Sequence, residues 1–401
     1  MGFRCGQQSS QPATTASGFD RKATRNPQLH IVPSVRQNSK RHSNHLDQYI
    51  MRRFFTLIFT LTSLISFGQN STIDDLWKLY NSRDFKSVLD KSKMILVNDP
   101  DNIDLNLMTG RSYTDLGDYK NALPYLDLAV EKDTTKSWQK AWAYSYLGTC
   151  YFMLQDYNKS ESSLNECIKL NTTQNATNNS YGQTLLFGFN EFYKTWKAVE
   201  TNNFRFHFQN MNATEIEKYA SEREVAYKNI NAFFKSTLPK KIDFYVWESR
   251  EDAMRILKAN LGFAKPDYCI VHTHYQQTIG HEMTHVISNF STKFLGKTGL
   301  INEGTAVYFD QTNQNKEQIV KDWLKANDKK ISIGEIWTSW KNYPEVLTYP
   351  LSGLFVKELI DNFGQEKFIE FFGNQTYENA KIVFGDRLDK VISDFENKIN
   401  S

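Results

Sequence analysis

Two hydrophobic periods divide this chain. Between residues 72 and 170 apolar positions recur at helical spacing. Polar turns interrupt them at Asp84-Phe85, at Leu116-Gly117-Asp118-Tyr119-Lys120-Asn121-Ala122-Leu123 and at Leu154-Gln155-Asp156-Tyr157-Asn158-Lys159-Ser160. The Asp-aromatic step recurs at intervals of 34 and 38 residues. Gly110-Arg111-Ser112-Tyr113 and Gly148-Thr149-Cys150-Tyr151 stand in register with the second and third turns. A period of this length is that of a two-helix unit stacked on copies of itself, with small residues letting the paired helices approach. Asn98-Asp99-Pro100-Asp101 breaks the first unit, and the extra residues near Thr134-Thr135-Lys136-Ser137 read as a loop insertion. About three units fit, the minimum for a stable stack. Trp77, Trp138 and Trp142 fall on helical periods and read as core.

Beyond residue 170 the pattern changes. The Asn- and Thr-rich stretch 171–181 predicts a linker, and 182–201 a helix continuing the array. Phe204 to Phe208 and Ile242 to Val246 alternate as strands, enclosing a long amphipathic helix from Ala213 to Phe234 introduced by Asn212 or Thr214. A helix over 250–261 follows, then the turn Lys265-Pro266-Asp267 and a short edge strand, Cys269-Ile270-Val271-His272. From Gln276 to Phe290 the apolar period is helical again: Ile279, Met283, Val286, Ile287, Phe290. The remainder predicts helices over 316–326, 350–363, 365–372 and 386–400. The fold class expected is α+β, an all-α repeat region followed by a mixed domain.

The helix over 276–290 carries His281-Glu282-Met283-Thr284-His285. Residues four apart share a helix face, so both imidazoles can reach one ion, with the Glu282 carboxylate alongside. After 17 intervening residues, Leu300-Ile301-Asn302-Glu303-Gly304-Thr305-Ala306-Val307-Tyr308 offers a third ligand, Glu303, on a second helix beyond the loop 296–299. Two histidines and one carboxylate form a catalytic rather than structural zinc count, because the fourth position stays open to water. His272 and His274 read as lining the cleft or facing solvent, not as ligands.

His281-Glu282-x-x-His285, the later Glu303-Gly304-x-Ala306-x-Tyr308, and a distal Tyr349-x-x-Ser352 leading to Leu359 and Phe363-Gly364 resemble the gluzincin metallopeptidases. The likeness is to the peptidase MA-like group more than to thermolysin, and it covers residues 200–375. It implies a zincin (thermolysin-like) domain over 203–401. His281, His285 and Glu303 would be ligands to Zn2+, and Glu282 the general base and proton shuttle. Tyr349 would stabilise the oxyanion, with Tyr343 and Tyr308 as competitors. Two departures stand out. The spacing to Glu303 differs slightly from that of thermolysin-like relatives. Where those carry an Asp to orient a ligand histidine, this chain has Val307, leaving Asp310 as the candidate partner. No Gly-rich exopeptidase motif precedes His281, which favours endopeptidase action. The repeats over 69–172 resemble tetratricopeptide repeats, implying a protein partner or substrate bound there, with 173–202 as linker and helix.

Residues 1–50 are polar and rich in Ser, Gln, Asn and Arg, the composition of a disordered segment. Met51-Arg52-Arg53 and the apolar run from Phe54 to Gly68 then read as a signal peptide over 51–68, with Met51 as the natural start. A secreted or periplasmic protein follows, with no transmembrane anchor in the mature chain. The run is too short to span a bilayer comfortably.

Charge changes with that reading. Nine of the 48 Lys and Arg residues but two of the 45 acidic ones lie in 1–68, which leaves 39 basic and 43 acidic residues, a net of −4. The whole-chain net of +3 is therefore no argument for a nucleic-acid partner. Cys150, Cys167 and Cys269 are too few and scattered for a disulfide framework; a Cys150–Cys167 bridge is compatible with an oxidising compartment but not implied. Three functions remain: a zinc metallopeptidase, a zinc hydrolase of another bond, and a catalytically inactive zincin-fold interaction protein scaffolded by the repeats.

Overall fold

Three aspartates start three helices in the same way. In this computed structural model, which describes residues 72–260 and 262–401, the chain opens with helices α1 (72–81), α2 (Phe85–Leu96), α3 (Ile103–Asp115), α4 (Tyr119–Lys132), α5 (Trp138–Met153), α6 (Tyr157–Leu170) and α7 (Gln174–Leu186). The expected signal peptide over 51–68 and the reading of 1–50 lie outside the described residues. Asp84, Asp118 and Asp156 cap α2, α4 and α6, each side chain accepting the backbone N–H three residues on, from Ser87, Asn121 and Lys159. Such a cap satisfies one of the orphan amides of a helix start. The residue before each aspartate is left-handed: Arg83 at φ 63°, Gly117 at 80° and Gln155 at 65°. The glycines predicted to permit close helix approach do so. A Cβ on Gly110 would lie 2.6 Å from Leu126 Cγ, and one on Gly148 2.4 Å from Leu164 Cδ2. Trp77 and Trp142 are only half-buried and Trp138 is exposed. With Tyr80 and Tyr146, the first two surround the Arg111 guanidinium, ring centroids 4.6–5.5 Å away.

The stretch 171–181 is not a linker. Most of it is α7, packed on α5 through the hydrogen bonds Asn179 Nδ2 to Ser145 Oγ (2.9 Å) and Gln183 Nε2 to Thr149 Oγ1 (2.8 Å). Two of its polar side chains bond the neighbouring helix, so composition alone misread it. The predicted helix 182–201 is likewise replaced. α7 ends at Leu186, an aromatic turn follows, and β1 (Lys197–Glu200) begins a sheet.

That sheet holds five strands in the order β1-β2-β3-β5-β4, with β2 (Phe204–Phe208), β3 (Ile242–Trp247), β4 (Phe263–Lys265) and β5 (Ile270–His274). β2, β3 and β5 are parallel; β1 and β4 run antiparallel at the two edges. The strand expected at the edge, β5, is interior, because the three-residue β4 was not anticipated. Alternation assigns the faces. Phe204, Phe206, Phe208, Phe244, Val246 and Val271 join one core with helix α8 (Ala213–Phe234). Tyr245, Trp247 and Ile270 join another with Phe152, Met153, Leu164 and Phe187 of the repeat region. Helix α8 starts at Asn212 with a reciprocal cap involving Glu215, settling the choice between Asn212 and Thr214. Helix α9 (Arg250–Leu257) is shorter than expected.

Seven further helices complete the chain: α10 (His281–Asn289), α11 (Gly299–Phe309), α12 (Lys316–Ala326), α13 (Ile333–Ser339), α14 (Glu345–Phe372), α15 (Tyr377–Phe384) and α16 (Arg387–Asn400). α14 contains a break at Gly364 (φ 83°, ψ 162°), the boundary expected between 363 and 365. The protein is thus mostly helical, with helical repeats at its N-terminal side and a small mixed sheet. No helix among the described residues is long and apolar enough to cross a membrane. Cys150, Cys167 and Cys269 are buried free thiols.

Candidate metal centre

Helix α10 begins later than its apolar period suggested, at His281 itself. Gly280 stops any earlier start: its φ of 106° is open to glycine, and a Cβ there would fall 2.4 Å from the Phe309 carbonyl at the end of α11. His281 is therefore the first residue of a nine-residue helix rather than mid-helix, His285 is its middle residue, and the two still share a face. Helix α11 packs against α14 where Gly304 leaves room; a Cβ there would meet the Ser352 carbonyl at 2.6 Å. This close approach seats the preceding Glu303 at the histidines.

His281, His285 and Glu303 each offer one ligand atom, all within 4.8 Å of one another. His281 Nε2 lies 3.5 Å from Glu303 Oε2, and His285 Nε2 3.4 Å from the same oxygen. His281 and Glu303 are buried and His285 nearly so. Burial alone would raise the Glu303 carboxyl, but the imidazoles, His285 foremost, hold it well below the usual carboxylate range. Glu282, also buried, moves the other way: desolvation raises it, and the two histidines offset this only in part. Two adjacent carboxylates are thus pushed apart, one towards permanent ionisation and one towards proton exchange.

Of the three tyrosines considered, Tyr349 sits at the site, its ring 6.0 Å from that of His281 and 5.9 Å from Trp340. Tyr343 donates to Glu335 Oε2 at 3.0 Å. Tyr308 packs edge-on to Phe309. Asp310 does not serve the histidines, because it pairs with Lys316 at 2.9 Å. Their missing neighbour is Asn302, whose amide lies 3.4 Å from His285 Nδ1 and 3.4 Å from Glu303 Oε1. Its place directly before Glu303 was the signal that sequence reasoning passed over. The Asn302 NH2 faces both atoms and donates to the Glu303 carboxylate, bracing the third candidate ligand beside His285.

His272 and His274 do not line this site. His272 is buried on the opposite face of the sheet. It accepts from Trp247 Nε1 (3.1 Å) at Nδ1 and donates from Nε2 to the Leu186 carbonyl (3.0 Å). His274 Nε2 bonds the Glu248 carbonyl at 2.7 Å.

A tetratricopeptide repeat family model matches residues 103–133, the α3–α4 pair. No curated protein matches the chain. The run of capped helix pairs on either side of that match agrees with tetratricopeptide-like repeats, an architecture associated with protein–protein interaction.

Proposed function

We propose that the C-terminal part of this chain is a zincin-type, zinc-dependent peptidase, exported to the periplasm or secreted, and that its repeats hold a protein partner or the substrate. One observation carries the reading: two imidazoles from one helix and a carboxylate from the next converge beside a buried second carboxylate. The donor set suits zinc in kind, and its two His–Glu spacings suit it as well, within a cluster whose ligand atoms lie up to 4.8 Å apart. Ligand atoms on a tetrahedral zinc, at about 2.0–2.2 Å from the metal, stand roughly 3.3–3.6 Å apart. The two His–Glu separations here are 3.5 and 3.4 Å.

His281, His285 and Glu303 would hold the ion. When bound, zinc supplies Lewis acidity to a scissile carbonyl and lowers the pKa of a water. The chain's own residues do the rest. Glu282 takes a proton from the attacking water as the C–O bond forms, then delivers it to the amine nitrogen as the C–N bond breaks. The Tyr349 hydroxyl donates to the oxygen on which negative charge develops. Asn302 donates from Nδ2 to the Glu303 carboxylate and steadies it next to His285.

The test is metal analysis of the purified protein, paired with turnover of a denatured-protein peptide library by wild type and Glu282→Gln. Stoichiometric zinc in both, with turnover reduced about a hundredfold or more in the variant, is expected. Equal turnover would remove Glu282 from its role. The match of the repeat model to α3–α4 favours one alternative, a catalytically inactive scaffold. That alternative predicts no hydrolysis whatever peptide is offered.

A further inference from the structure

The loop that delivers α10 carries one side chain with four partners. Gln277 Oε1 lies 2.9 Å from the Gly262 amide nitrogen, 3.4 Å from that of His274 and 3.1 Å from Thr273 Oγ1. On its other arm, Nε2 lies 3.4 Å from Glu282 Oε1. The orientation of this amide is forced. Two backbone N–H groups can only donate, so the carbonyl oxygen must face them and the NH2 must face the Glu282 carboxylate. Gly262 is part of the device: a Cβ there would fall 2.3 Å from Gln277 Oε1, so any larger residue would displace the amide. Glu282 also takes a hydrogen bond from the Ala264 backbone on β4. Gln277 thus ties the entry to β4, the end of β5 and the second residue of α10 to one point.

We propose that Gln277 is the positioning residue for Glu282, fixing its carboxylate relative to the histidines and to the β4 edge through the amide donor it aims at Oε1. This rests on the reading of Glu282 as the general base. A glutamate side chain has three rotatable bonds, and a base works only within hydrogen-bond reach of the proton it takes. A buried carboxylate that has a second carboxylate, Glu303, near it is repelled by it, and a donor holds it in place. Gln277 supplies that donor from Nε2.

The experiment compares zinc-loaded wild type, Glu282→Gln, Gln277→Glu and Gln277→Leu on the same peptide library. kcat and KM are resolved on one cleaved peptide, and zinc affinity is measured by chelator competition. Gln277→Glu keeps an acceptor for Gly262, Thr273 and His274 but removes the donor to Glu282. Its kcat is expected to fall about tenfold or more, with KM and zinc affinity within about threefold of wild type. Gln277→Leu, which neither donates nor adds charge, is expected to lose kcat similarly and to melt at lower temperature. Wild-type kcat in Gln277→Glu, alongside an inactive Glu282→Gln, overturns the proposal and leaves the general base standing. A loss of zinc affinity matching the loss of kcat also overturns it, because the role would then be structural. Equal turnover by Glu282→Gln and wild type, or no turnover by wild type, instead removes the general-base reading and this proposal with it.

Discussion

His272 makes the stability of this protein depend on pH in a calculable way. Its ring is buried between Tyr245 (centroids 4.4 Å, interplanar angle 9°) and Phe263 (5.1 Å, 21°). Its two hydrogen bonds fix the neutral tautomer: the Trp247 N–H occupies Nδ1, and the Leu186 carbonyl takes the proton on Nε2. A second proton would have to enter at Nδ1, against an N–H that cannot accept. Burial pushes the imidazole from 6.5 down to about 3. Because the folded value lies below the unfolded one, the unfolded chain binds the proton first. Stability is complete above pH 6.5 and falls as pH drops towards 3, by about 1.4 kcal/mol per unit within that window. At pH 5 the loss is about 2 kcal/mol, and across the window about 5 kcal/mol. His207, also lowered by burial, acts in the same direction, so the comparison needs a variant.

His272→Phe keeps the stack and removes the titration. At pH 7.5 it leaves the Trp247 N–H and the Leu186 carbonyl unpaired, costing about 2–6 kcal/mol in total. Urea unfolding followed by tryptophan fluorescence at pH 7.5, 6 and 5 should show the gap between wild type and variant narrowing by about 2 kcal/mol at pH 5. Parallel pH dependence in the two proteins would refute the assignment of the neutral, proton-excluding state to His272.

Three further outcomes follow from the geometry. Asn302→Leu should weaken zinc binding about 10- to 100-fold in chelator competition; unchanged affinity would mean that the Glu303 carboxylate needs no such partner. Tyr349→Phe should lower kcat about a hundredfold with KM little changed, and an unaltered kcat would take the hydroxyl out of the reaction. Gly148→Val should destabilise the repeats by about 1–3 kcal/mol, read as an earlier thermal transition, because its side chain would enter space held by Leu164.

The parts of this fold that could be read from sequence are those with strong local rules. A capped helix such as Ala213–Phe234, the alternating strands around Phe206 and Phe244, and two histidines four apart each follow from the geometry of one element. The misreadings fell where a partner elsewhere decides. α7 is polar and looks like a linker until Ser145 and Thr149 supply its hydrogen bonds. β4 is too short to show a period, and only its pairing with β5 defines it. The start of α10 depends on Gly280 meeting the Phe309 carbonyl, a contact made from the far side of the next helix. Tyr349 could not be separated from Tyr343 and Tyr308 until Glu335 had claimed Tyr343.

The period of two in the strands also connects the halves of the molecule. Along β5, Val271 enters the core beneath α8 and α10, whereas Ile270 and His272 face the repeats. β3 does the same, with Phe244 and Val246 on one side and Tyr245 and Trp247 on the other. The chain leaving α7 is held to the repeat-facing side by its own carbonyls, Phe187 to the Tyr245 hydroxyl at 2.6 Å and Leu186 to His272 at 3.0 Å. Gly188, left-handed at φ 75°, lets it pass where a Cβ would strike the Tyr245 ring at 2.5 Å. A one-residue slip of β5 would exchange its faces, burying His272 against α10 and removing the acceptor–donor pair that anchors the repeats. The register that docks the repeat stack is therefore the same register that sends β5 into the loop carrying Gln277 and on to His281. A substitution that loosens the dock, such as His272→Phe, has a direct covalent route to the candidate metal centre through only eight intervening residues.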